Sequence, residues 1–89
     1  MNSNDINASR NKSVVLIQKM LSDEISPQEA IDRWPHNTGD DLLEQAYCLL
    51  YHYRDDSDIR AKDPRYMEIQ KEQFREIADK LTLNQKGHR

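Results

Sequence analysis

The chain has only two glycines and three prolines in 89 residues, too few turn-forming positions for the many short strands of an all-β fold. It has one cysteine, Cys48, so no disulfide closes within it, and a reduced cytoplasm is its expected location. Its longest aliphatic run, Val14 to Ile17, falls far short of the roughly 20 residues that span a bilayer, and no signal-peptide pattern precedes it. Neither a Cys-x-x-Cys nor a His-x-x-x-His spacing occurs, and His36, His52 and His88 are scattered, so no zinc site is expected. A glycine-rich phosphate loop and a Gly-x-Ser-x-Gly elbow are both missing. What remains is charge. A third of the residues are charged and mean hydropathy is -1.01, which fits one small domain that buries roughly 60% of its unfolded surface.

Two further chemistries fail on spacing. The aspartates at 55, 56, 58 and 63 invite a calcium loop, but a loop opening at Asp56 needs glycine sixth and glutamate twelfth, where Ala61 and Met67 stand. Opening at Asp55 places Arg60 and Tyr66 there instead. Cys48 and His52, four apart, could pair as nucleophile and base. Cys48 lies mid-helix between Tyr47 and Leu49, however, with nothing to present an oxyanion hole. The chain is expected to be neither an enzyme nor a cofactor or metal carrier.

Charge is unevenly spread. Residues 37–63 carry seven acids against three bases, a net -4, whereas residues 64–89 carry six bases against four acids, a net +2. An acidic middle argues against direct nucleic-acid binding, since phosphate contacts need a basic face. It favours a basic protein partner.

Apolar spacing points to helices throughout. Residues 1–9 read as a disordered N-terminal segment, 10–82 as a single helical domain and 83–89 as a frayed tail. Four helices are expected, near 10–22, 27–34, 40–54 and 64–81, an all-α chain whose second helix is short. Ser26, Pro27 and Glu29 make a complete start signal for that second helix, and Pro35 ends it. Thr38 or Asp40 caps the third helix, and Asp63 with Pro64 opens the last. The phase of these helices predicts a core of Ile17, Leu21, Ile31, Trp34, Leu43, Ala46, Leu50, Phe74, Ile77 and Leu81.

Two surface features stand out. Glu44, Tyr47, Tyr51, Arg54 and Asp55 form a stripe along the third helix. Either the tyrosines pack under a neighbouring helix with wet hydroxyls, or they face a partner, because aromatics and arginine carry most interface energy. The second feature is the acidic junction Asp55, Asp56 and Asp58. A charge run is usually a solvated helix end, yet acids at a helix C-terminus oppose the macrodipole and cost stability. Neutralising all three is therefore expected to leave the fold intact and even to raise its thermal midpoint. The expected contact surface is Glu44, Tyr47, Tyr51, Asp55, Asp56 and Asp58.

The capped segment Ile25–Trp34, the Asp56, Asp58 and Arg60 spacing and the charged amphipathic last helix together resemble the colicin-D-type bacterial immunity proteins, over about Val14 to Leu81. The resemblance implies an antiparallel four-helix bundle that binds a cognate toxin nuclease and blocks its active site. Nuclease sites are cationic, so an acidic plug gains steering toward them. Tyrosines replace the further acids expected on the central helix, which leaves the docking face open. The alternative is a homodimeric helical adaptor with no toxin partner, in which the tyrosine stripe would be an isologous interface.

Overall fold

Helix α1 covers Ser3–Leu21, α2 Pro27–Arg33, α3 Asp41–Asp55, α4 Ser57–Lys62 and α5 Pro64–Lys86 in a computed structural model that describes residues 3–86 and the side chains of 6–82. Among the described residues there is no strand. The chain is all-α, as its turn-poor composition implies, but the described residues form five helices where four were expected. The additional one, α4, lies inside the acidic junction.

The helix boundaries follow local signals. Helix α1 stops in a Schellman-type turn: the Glu24 amide bonds the Lys19 carbonyl at 2.8 Å, with Asp23 in the left-handed region at φ 65°. Ser26 then accepts a hydrogen bond from the Glu29 amide at 3.0 Å, while the Glu29 carboxylate turns to Arg33 at 2.6 Å. Trp34 is extended, at ψ 138°, because the residue before a proline is pushed out of the helical region. Both candidate caps of α3 act in series. Thr38 Oγ1 accepts from the Asp40 amide, and Asp40 accepts from the Leu42 amide, each at 3.2 Å. Asp63 accepts from the amides of Arg65 and Tyr66 to start α5.

Helix α1 begins at Ser3, ahead of the start expected at Ser9 or Arg10. A long-range tie accounts for its first turns. Arg10 grips Asp40 with two parallel bonds of 2.6 and 2.9 Å, fastening α1 to the start of α3. Ile6, one turn earlier on the same face, is half-buried over that junction. Of the segment 1–9 expected to be disordered, residues 3–9 belong to α1, and Met1 and Asn2 lie outside the described residues. At the other end α5 continues to Lys86, so of the expected frayed tail only 87–89 lie outside them.

Bidentate arginine–carboxylate pairs are strong because two charge-assisted bonds share one geometry. The Arg10 hydrogen bond, more than burial opposes it, holds the Asp40 carboxyl below its usual pKa of 3.8. Its contribution to stability is therefore complete above the unfolded-chain value and is lost as pH falls through the folded one. Asp40→Asn should cost about 1.5–3 kcal/mol at neutral pH, the value of a hydrogen bond to a charged group. Thermal midpoints measured from about pH 5 to pH 2 should fall less steeply for this variant than for the parent chain. Parallel curves would show that the tie contributes nothing to acid sensitivity.

Helix α5 packs against α1, α3 and α4, and α2 bridges α1 and α3. The core is Leu16, Ile17, Met20, Ala30, Ile31, Trp34, Leu43, Ala46, Leu50, Tyr53, Phe74, Ile77 and Leu81. Every expected core residue is in it except Leu21, which is half-buried at its edge. Trp34 is fixed by its indole N–H, which donates to the Leu43 carbonyl at 3.2 Å. Tyr53 and Phe74 meet edge to face with centroids 5.3 Å apart.

Candidate functional site

Helix α3 divides its surface between two roles. Leu43, Ala46, Leu50 and Tyr53 face the core, while Glu44, Tyr47, Tyr51 and Asp55 line the outer side. Neither tyrosine is sealed under a neighbouring helix. Tyr47 is half-buried and Tyr51 is 37% exposed.

The rings form a ladder. His36, on the loop after α2, meets Tyr47 edge to face at 5.4 Å, and Tyr47 meets Tyr51 at 5.0 Å. The Arg54 guanidinium carbon lies 4.8 Å from the Tyr51 centroid. The two tyrosine hydroxyls are 3.2 Å apart, and this shared bond, with some burial, raises the Tyr47 phenol above its usual pKa. Arg54 is held in turn by Asp55 at 3.0 Å and by Gln28 of α2 at 2.9 Å. Each rung restrains the next, so the row loses little side-chain entropy if something binds to it.

The acidic junction is built differently from the solvated helix end that charge alone suggests. A single residue, Asp56, separates α3 from α4, and it occupies the N-cap position of α4. Its carboxylate is turned inward, accepting from the Tyr66 hydroxyl at 2.7 Å and the Gln70 amide at 3.2 Å. The bond to Asp56 raises the Tyr66 phenol above its usual pKa. Gln70 is a relay: its amide nitrogen donates to Asp56, and its oxygen accepts from Arg60 at 3.1 Å. Arg60 is only 9% exposed. It also donates to the Tyr53 carbonyl, one of those α3 leaves open at its C-terminus, and stacks on the Tyr53 ring at 3.5 Å. The Asp56–Arg60 spacing is thus explained by the corner between α3, α4 and α5.

This geometry corrects the argument from helix polarity. Asp58 falls in the first turn of α4, where a negative charge is favoured. Asp58 thus favours the start of α4, while the Asp56 side chain makes no capping bond to α4 and is committed to Tyr66 and Gln70 of α5. Neutralising all three aspartates is consequently no longer expected to raise the thermal midpoint. Among the six expected contact residues, the fold gathers Glu44, Tyr47, Tyr51 and Asp55 on one side of α3 and leaves Asp58 exposed on α4, whereas Asp56 is tied internally.

His36 and Gln28 join the ladder without any signal in the sequence, since neither shares a periodic position with the tyrosines. Cys48 is exposed, not in the core. Among the described residues, no three His, Cys, Asp or Glu side chains converge as metal ligands, and no helix is long and apolar enough to cross a membrane. The chain matches no protein-family model, no curated protein and no solved structure.

Proposed function

We propose that the chain is a non-enzymatic, cytoplasmic protein-binding module that inhibits a cognate bacterial nuclease toxin by covering its cationic active site. It docks through the outer side of α3, its helices arranged in the manner of an antiparallel bundle. The observation that carries this reading is the fixed row Tyr47–Tyr51–Arg54 with Glu44 and Asp55 on the same side of α3, and Asp58 exposed on α4. Rigid aromatics supply contact energy at low entropic cost, and the flanking acids supply steering toward a basic surface.

The test requires a basic nuclease toxin domain, to be sought among the genes that adjoin this one. Asp55→Asn with Asp58→Asn should slow association and flatten its salt dependence, because rim charges act mainly through the on-rate. Tyr51→Ala should instead speed dissociation, costing about 2 kcal/mol if Tyr51 is an anchor. Asp56→Asn belongs outside this set, since it should destabilise the corner. Unchanged kinetics at low salt for both variants would overturn the reading. A dimeric mass for the chain alone, reduced to monomer by Tyr51→Ala, would assign the ladder to contact between two copies.

A further inference from the structure

Between the loop after α2 and the outer side of α3 lies a hollow of about 250 Å³, whose lining includes Trp34, His36, Leu43, Glu44, Tyr47 and Cys48. It is smaller than the roughly 300–1,000 Å³ of sites that engulf a small ligand, and it suits one long side chain. Its aromatic walls are held in place. Trp34 is anchored through its indole to the Leu43 carbonyl, and Tyr47 is braced by His36 and Tyr51. Glu44 is the one carboxylate in the lining, which includes no lysine or arginine. It is exposed and engages no ion pair among the described residues.

Aromatic walls with a single unpaired carboxylate suit a cation that also has a flat, weakly hydrated face. A guanidinium stacks on tyrosine and forks onto a carboxylate, whereas an ammonium is a compact and strongly hydrated point charge. Helix α3 already sets one guanidinium against a tyrosine, Arg54 against Tyr51. An arginine entering the hollow beside Tyr47 would place a second guanidinium against the aromatic row.

We propose that this hollow is the anchor subsite for a single arginine side chain of the basic protein partner. For the partner's identity the proposal rests on the protein-binding reading above, but the chemistry of the hollow is testable without the partner. N-acetyl-arginine amide is titrated into the ¹⁵N-labelled full chain, with N-acetyl-citrulline amide, its uncharged isostere, as the control. The expected result is a saturable shift of the Trp34 indole N–H and of the Glu44, Tyr47 and Cys48 amides. Citrulline should bind about fivefold more weakly, and Glu44→Gln should weaken arginine binding by a similar factor, the upper range for an exposed ion pair. Glu44 is exposed, so its variant should keep the parent circular dichroism spectrum. Citrulline binding as well as arginine would overturn the proposal. So would undiminished arginine binding by Glu44→Gln, or shifts centred on residues 55–58. Arginine bound in the hollow alongside no association with the nuclease would sustain the subsite and overturn the toxin reading. Nuclease binding that is indifferent to Glu44→Gln, with no arginine shift at the hollow, would do the reverse.

Discussion

Leu50→Ala and Phe74→Ala should each destabilise the chain by roughly 2–5 kcal/mol, the cost of lost transfer energy plus the cavity left behind. Leu50 is fully buried on α3, and Phe74 is 2% exposed on α5. Both belong to the one apolar cluster that joins α1, α2, α3 and α5, so neither site can collapse without moving a helix. Phe74 carries an added penalty because its edge-to-face partner Tyr53 also stacks against Arg60. Native domains are stable by only about 5–15 kcal/mol, and a chain this small belongs at the low end. Either variant should therefore be measurably unfolded at moderate urea. A loss below about 1 kcal/mol at both positions, read from urea midpoints, would contradict the buried core described above.

Arg60→Met should cost about 3 kcal/mol, although it conserves most of the side chain's volume and stem. The guanidinium caps the Tyr53 carbonyl, bonds Gln70 and covers the Tyr53 ring. Removing it leaves acceptors without their donor and the Asp56 carboxylate without the cation that Gln70 relays to it. Arg60→Lys should recover less than half of the loss, since the ammonium ends one atom short of Nη1, which serves both acceptors, and lacks the flat face that covers the Tyr53 ring. A double-mutant cycle with Gln70→Leu should give a coupling of about 1 kcal/mol, as expected for members of one hydrogen-bonded network. Additive effects, or a cost for Arg60→Met no larger than that of an exposed residue, would mean that the corner is held by packing alone.

Much of this architecture was readable before any coordinates. Periodicity placed the core faces of α1, α3 and α5, because a helix that buries one side must repeat apolar residues at that spacing. Ser26, Asp40 and Asp63 announced three helix starts through short side chains that can accept from their own backbone. The misreadings share one cause: they rest on contacts distant in sequence. Nothing near Arg10 indicates that it will fork onto Asp40, so the early turns of α1 looked too polar to fold. In α4, Ser57 and Asp58 have low helix propensity, and Ile59 is exposed. The turn is held by Arg60 reaching back to α3 and by α5 receiving Asp56. Charge counting treated Asp56 and Asp58 alike, yet one faces inward and the other faces water. The tyrosine stripe was legible as a stripe, while its rigidity depends on His36 and Gln28, which arrive from elements that no local pattern connects to α3.

The division of α3 into two faces also affects how freely this chain can change. Positions 43, 46, 50 and 53 are committed to the interior, positions 44, 51 and 55 point away from it, and Tyr47 lies between, half-buried against the core's edge. Substitutions on the outer side of a helix usually move stability by less than about half a kcal/mol, so new outward residues can be sampled with the fold's stability margin nearly intact. Arg54 limits this freedom, because it joins the outer row to Gln28 of α2. A lineage of such chains could therefore diversify rapidly at 44, 51 and 55 while 54, 56, 60 and 70 stay nearly constant.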